Sequence, residues 1–507
     1  VTPADLKMFA EAIVQRTMAA RQEELNAEMR RVAEETARLV KKHRGSLSGE
    51  HGDGRLRGEF IPLLFGEKVY GLMQETKVCW DPEGVFNARK IVNTPPMDTS
   101  LRYEVGDSNV TCRTYFDFSK EKGWLCAIEQ CNGSGDCRKS YAFGGTMCPS
   151  FRATREESHT TRARANTLRE LITHPRTKKI YDQREILEVL DTCVSCKACK
   201  SECPSNVDIA RFKAEFLQQH YDVCGVPMKA FLIARLTEIQ RLGTILPWFY
   251  NAIVRNRMTG NMLKRILHFA PKRTIPTLYK TTLKHWLGRY RRKNRGETVG
   301  KVFLFADEFT NYMDVEIGIK MIELLDWLGY EVIIPKHVES GRTAISKGML
   351  EVAKGVARKN VLLLKDLVTE NIPLVGIEPS CILSFRDEYP DLVGDDLKEE
   401  ALRLGKNCLL YDEFFTREIR AGRIQAEQFT DQPLKIMLHG HCHQKSLASV
   451  EPSREMLSLP VNYSVEVIPS GCCGMAGAFG YEKKHYELSM KIGEQVLFPA
   501  VRGAGEN

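Results

Sequence analysis

The 507-residue chain has no run of about eighteen apolar residues, which excludes a helix able to span a membrane. Its opening stretch, VTPADLKMFAEA, lacks a short apolar core ahead of a small-residue cleavage site and so does not read as a signal peptide. It also lacks an initiating methionine, so the expectation is an incomplete or processed chain. Acidic residues are scarce in one region: between Cys224 and Arg295 there are sixteen Lys or Arg and a single acid, Glu238. No nucleic-acid motif is interleaved with that charge, which argues against DNA or RNA as a partner. A solvated helical surface accounts for it most simply. An anionic membrane face or an acidic partner is the sharper expectation.

What the chain does have is sulfur. Sixteen cysteines are too few and too clustered for a secreted disulfide scaffold, and the clustering points to metal in a reducing, cytoplasmic compartment. The densest stretch, CVSCKACKSECP, sets Cys193, Cys196, Cys199 and Cys203 in the spacing C-x2-C-x2-C-x3-C-P, the ferredoxin run. Three thiolates at that spacing can wrap one cubane while the fourth, ahead of Pro204, points to a second. Zinc is the competing metal, but structural zinc sites usually join two separated knuckles. Upstream, CNGSGDCRKSYAFGGTMCP supplies Cys131, Cys137 and Cys148. Cys148 is expected to complete the centre of Cys193, Cys196 and Cys199, with Cys203 joining Cys131 and Cys137. The expectation is one 4Fe-4S cluster, with a second left open. The second centre is one thiolate short; Cys126 or His159 could fill the gap, or the centre has three cysteines or is empty.

The coarse pattern is α+β and α/β with several domains. Residues 3–43 read as helix ending near Gly45, the glycine-rich segment 45–60 as turns, and NTPPMDTS (93–100) as a linker. The spacer between the cysteine stretches reads as a helix capped by Thr154. Residues 226–295 read as apolar and basic helices broken by prolines. From 301 the runs KVFLFAD, EVIIP, NIPLVGIEPSC, LKIMLHGHC and SVEVIPSGCCG read as buried parallel strands, three of which end in cysteine: Cys381, Cys442 and the pair Cys472-Cys473. Strands of this kind are expected to deliver their cysteines to one crevice as metal ligands. Adjacent thiols can clamp neighbouring irons or close a strained disulfide, and one of the pair could simply be buried. His439, His441 and His443 flank Cys442.

PSC, HGHCHQ and GCCG together resemble the cysteine-rich CCG domain of heterodisulfide reductase and of the iron–sulfur subunits of glycolate and lactate oxidation. That family carries two repeats. Here the first has Glu308 where a cysteine often stands and Glu339-Ser340 in place of a cysteine pair, and the second stops before its closing motif. SGEHGDG (48–54), followed by DPEGVFNARKI, resembles the C-terminal end of FAD-linked 2-hydroxy-acid oxidases of the vanillyl-alcohol-oxidase type. That resemblance implies Glu50 as a divalent-metal ligand, His51 as substrate-facing acid or base, and Asn87 near the isoalloxazine ring of FAD.

The order of these segments resembles the fused FAD and iron–sulfur dehydrogenases of D-lactate or D-2-hydroxyglutarate. It implies an oxidoreductase that takes electrons from a small 2-hydroxy acid through FAD and 4Fe-4S to a quinone or other carrier. The implied layout is a C-terminal remnant of the flavin-oxidase domain (1–100), a ferredoxin-like domain (101–223), a basic helical region (224–300) and a CCG-type α/β domain (301–507). Residues 1–27 contain no histidine, so the histidine-bearing metal motif and large FAD domain of those proteins are not seen, and a truncated piece or a separate flavoprotein subunit is expected. The alternative is an iron–sulfur subunit like that of glycolate oxidase or anaerobic glycerol-3-phosphate dehydrogenase. Peripheral contact with a membrane would suit either.

Overall fold

The structure, a computed structural model, describes residues 3–101, 112–176, 179–294 and 296–504, with side chains from residue 22 onward. It is helix-rich, with small parallel sheets, and divides into two compact units, Val1–Asn109 and Val110–Asn507. The expected boundary at residues 100 and 101 abuts residues outside the described ones. From residue 110 on, the three other expected segments fall in the second unit.

In the first unit the helix Pro3–Lys42 is built from strong helix formers and ends with Lys41 and Lys42, cations suited to the negative end of the backbone dipole. Ile61–Phe65 and Glu67–Trp80 follow. The DPEG breaker works through Asp81, whose carboxylate accepts from Val85 N (2.7 Å) and Phe86 N (3.0 Å) and so turns the chain after the helix. The 93–100 segment, read from composition as a linker, is partly anchored. Met97 is buried with Ala37 and Phe60, and Asp98 and Glu59 both pair with Arg30 at 2.9 Å.

The second unit begins with short helices around the cysteines. The helix Thr161–Thr173 is capped by Thr160, whose hydroxyl accepts from Ala163 N at 2.9 Å. The expectation for Thr154 is thereby corrected. It closes the preceding helix Pro149–Thr154, bonding back to Ser150 O, and its hydroxyl is committed there. Next come Arg184–Asp191, Ala198–Glu202 and Ile209–Cys224, then four helices from Met228 to Ile266. Pro247 starts its helix at the first turn, where its missing N–H costs nothing. On these four helices and their connections Leu242, Ile245, Trp248, Phe249, Met258 and Met262 are each more than half exposed.

The α/β part holds two separate parallel sheets. β1 (Gly300–Phe305), β2 (Tyr330–Ile333), β3 (Leu374–Gly376) and β4 (Cys408–Leu410) run in the order β2-β1-β3-β4. β5 (Leu434–Leu438) pairs with β6 (Tyr463–Val467). Only the first sheet has the burial expected of continuous apolar strands; β5 and β6 have only exposed and half-buried positions. Among the described residues no helix is long and apolar enough to cross a membrane.

Candidate functional site

The ferredoxin run begins two residues after the helix Arg184–Asp191 and winds into Ala198–Glu202. Ser195 and Lys197 both take left-handed backbone conformations (φ 52° and 60°), which coils the segment tightly enough to bury Cys193, Cys196, Cys199 and Cys203 together. Cys137 and Cys148 are also buried and Cys131 is half-buried. Burial pushes the Cys196 thiol well above its ordinary range, and its neighbours Cys472, Cys199 and Cys193 push further. Burial does the same at Cys199, helped by Asp208 and Cys193. Thiols held protonated in this way release their protons when a metal binds, so loading is coupled to pH.

Cys131 lies within electrostatic reach of Cys137 and Cys203. Cys148 sits between the two groups. It is hydrogen-bonded to Cys137, holding that thiol down at about 6, and it also feels Cys199. Its sulfur further accepts from Thr161 N at 3.0 Å. Cys126 is exposed, and the His159 ring bonds Thr154 Oγ1 at 2.7 Å. Cations stand around the thiols: Lys213 Nζ donates to Cys193 O at 2.7 Å, and Arg152 and Arg164 are buried nearby. Seven converging thiols, largely dry and edged by positive charge, fit a sulfur-ligated iron cluster with net negative charge.

β5 ends just before His439, and Cys442 opens the helix Cys442–Leu447. β6 leads into Cys472 and Cys473, both free thiols. Cys472 is hydrogen-bonded to Cys442 and Cys473, and its pKa is pushed up to about 12. Cys473 bonds Cys472 and His439 and is likewise raised to about 12. Gly474 makes the sharp turn after the pair (φ 85°), where a Cβ would stand 2.1 Å from Ser489 O. This crevice is docked onto the ferredoxin loop. His443 Nε2 bonds Ser195 O at 3.0 Å, and Ser446 Oγ donates to Cys196 O at 3.0 Å.

Cys381 follows β3 of the other sheet, on the short helix Pro379–Ile382, which packs against the helix that Cys442 opens. It faces carboxylates: ligand atoms of Asp307, Glu308 and Cys381 lie within 4.8 Å of one another, all buried. Glu308 and Ser340, at the positions where the resemblance places cysteines, bond each other through Ser340 N (2.9 Å) and Oγ (2.7 Å). Burial raises Asp307 to about 6 and Glu308 to about 7. With one thiol and self-satisfied carboxylates, this half does not fit an iron–sulfur cluster. The two halves touch through His441 and Glu378, 3.8 Å apart.

Sequence reasoning missed Lys197. Its ammonium is buried among three acids, bonded to Asp387, 2.9 Å from Glu388 and 3.7 Å from Asp208, which pins the ferredoxin loop to the segment after β3. Nothing local signals that a lysine between two cysteines points inward. Arg342 completes the cluster by pairing with Glu388.

In the first unit Glu50, His51 and Asn87 are all exposed. A backbone bond from Ile91 N to Gly54 O (2.8 Å) draws the two motif segments together. Positive φ at Gly52, Gly54 and Asn87 shapes both turns. These residues present an open polar face; among the described residues of this unit they are not enclosed.

Residues 12–91 match the C-terminal domain of FAD-linked oxidases, and residues 130–208 match the 4Fe-4S dicluster domain. The D-2-hydroxyglutarate dehydrogenase of Escherichia coli K12 is 25% identical over 92% of this chain and 49% of its own length. One subunit of the anaerobic glycerol-3-phosphate dehydrogenase of the same strain is 25% identical over 60% of this chain and 74% of its own. Lactate utilization protein A of Bacillus subtilis is 29% identical over 35% and 74%. No solved structure matches. The chain spans about half the length of the D-2-hydroxyglutarate dehydrogenases it matches. The paired glycine turns and the gathered thiols thus fall in two segments of one chain, the first similar to the C-terminal domain of FAD-linked oxidases and the second to the 4Fe-4S dicluster domain, in a chain similar over most of its length to D-2-hydroxyglutarate dehydrogenases.

Proposed function

We propose that this chain carries the electron relay of a flavin-dependent dehydrogenase of D-2-hydroxy acids, of the lactate or 2-hydroxyglutarate class. The observation that carries the reading is the joining, in one chain, of a flavin-oxidase segment to seven gathered ferredoxin-type thiols. When bound, FAD supplies hydride acceptance and the 4Fe-4S centre supplies one-electron transfer. Cys193, Cys196, Cys199 and Cys148 would hold one centre, and Cys131, Cys137 and Cys203 would contribute to a second. His51 would move the hydroxyl proton of the substrate, an imidazole being suited to that transfer near neutral pH. Glu50 would hold a divalent metal that orients the substrate, and Asn87 would stand beside the flavin ring. Cys442, Cys472 and Cys473, with Cys472 next to Cys196, form the exit toward a quinone or other carrier. Free, clustered thiols suit the cytoplasm. The exposed apolar side chains from Leu242 to Met262 are set among Arg255, Arg257 and Arg265, which form no ion pair among the described residues, and this mixture suits an anionic bilayer surface.

Anaerobic reconstitution with iron counting and EPR tests this reading. At least one full cubane of iron per chain is expected. Cys196→Ser should remove that signal and stop acceptor reduction in the complete enzyme while substrate still reduces the flavin. A colourless protein that holds zinc in its place would overturn it. A second reading, a separate electron-transfer protein, is favoured by the match to most of the length of the glycerol-3-phosphate dehydrogenase relative. Native purification separates the two: flavin on the same polypeptide supports the first, and flavin on a distinct partner protein the second.

A further inference from the structure

We infer that Asp182, His220 and Cys224 form a binding site for one transition-metal ion of the zinc class, separate from the thiols of the ferredoxin run. His220 and Cys224 are four residues apart on the helix Ile209–Cys224, so their side chains share a face one turn apart. Asp182, from the segment before the helix Arg184–Asp191, approaches that face. One ligand atom from each of the three lies within 4.8 Å of the others.

The imidazole is already oriented. Its Nδ1 bonds Tyr181 O at 2.8 Å, which leaves Nε2 as the lone-pair nitrogen, the arrangement usual for metal-bound histidines. Its ring stacks on Phe216 (6.3 Å, 14°). Tyr181 in turn lies between Trp124 and Phe216, with ring centroids 6.4 and 6.2 Å away, so the carbonyl that orients His220 and the neighbouring Asp182 are anchored by the same aromatic stack.

The Cys224 thiol already hydrogen-bonds the Asp182 carboxylate, a proton that a cation would displace. Cys224 is also the last residue of its helix, where the backbone dipole favours positive charge. A sulfur, nitrogen and oxygen donor set suits zinc better than magnesium or calcium. Tetrahedral zinc with bonds of about 2.0 to 2.3 Å needs donors about 3.5 Å apart. Asp182 and Cys224 are exposed, so closing that gap displaces no core, and the fourth position is open to water.

The site joins the segment that leads into Cys193 to the helix that follows Cys203, so the ion would tie together the two flanks of the ferredoxin run. The test uses the full chain with its iron centres reconstituted anaerobically, then offered zinc and desalted. We expect one zinc per chain beyond the iron, lost in Cys224→Ser and in His220→Gln with iron content and EPR unchanged. Cobalt in place of zinc should give a thiolate charge-transfer band in the native-minus-Cys224→Ser difference spectrum. Absence of retained zinc, or equal zinc in the native protein and both variants, overturns the site. Zinc lodged among the ferredoxin thiols would be insensitive to Cys224→Ser, so failure of the iron–sulfur reading would look different.

Discussion

Lys197 shows how a site can depend on a residue that carries no chemistry of its own. Its ammonium offsets Asp387 and Glu388, both almost fully buried, and the loop it anchors presents Cys196 and Cys199. Replacing it by methionine keeps the volume and removes the charge, leaving buried carboxylates compensated only by Lys200 and Arg342. Breaking such a pair from one side costs about 3 kcal/mol or more. The expected outcome for Lys197→Met is a lower denaturation midpoint and faster loss of iron under anaerobic urea, followed by cluster absorbance. An unchanged midpoint would mean that the loop holds without this pair. At this scale the cysteines themselves were legible, because metal-ligand spacing is local. The neighbour relation of Cys196 and Cys472 was not, because only folding brings them together.

Among elements, the turn at Cys472-Cys473-Gly474 has the least room. Gly474→Ala would place a Cβ 2.1 Å from Ser489 O at a backbone angle that side chains rarely adopt, so the turn must open or the helix Tyr486–Glu494 must shift. We expect destabilisation of about 2 kcal/mol or more, with altered reactivity of Cys472 and Cys473 toward a thiol reagent, read by rate of labelling. Labelling as fast as in the unchanged protein would argue against the crevice geometry. The apolar runs announced β1, β2 and β3, since buried parallel strands are hydrophobic on both faces, but not the three-residue β4, which is too short to stand out as a run. They did not announce that β5 and β6 form a sheet of their own. Thr154 and Thr160 are equally good caps by residue type, and the choice between them fell to where the helix starts, directly after Thr160.

For the whole molecule, the four helices from Met228 to Ile266 present large apolar side chains beside arginines that make no ion pair among the described residues. Binding to vesicles containing anionic phosphatidylserine is expected, weakened strongly as salt rises because the Debye length falls from about 10 Å at 0.1 M to about 3 Å at 1 M. Trp248→Ser combined with Phe249→Ser should reduce binding several-fold with iron content unchanged. Equal binding to neutral and anionic vesicles at low salt would refute the charge-based part.

The amino-acid order by itself determined the cysteine spacings, the glycine turns of the flavin-oxidase segment, the apolar strands and the concentration of positive charge, all patterns readable within a few turns of chain. Tertiary structure alone decided which thiols meet, that Glu308 and Ser340 fill one half of the α/β crevice with their own hydrogen bonds, and that Lys197 turns inward. The physical reason is range. Ligand spacing and backbone preference act between near neighbours, whereas burial, ion pairing and the meeting of separate sheets depend on segments hundreds of residues apart, such as Ser446 and Cys196.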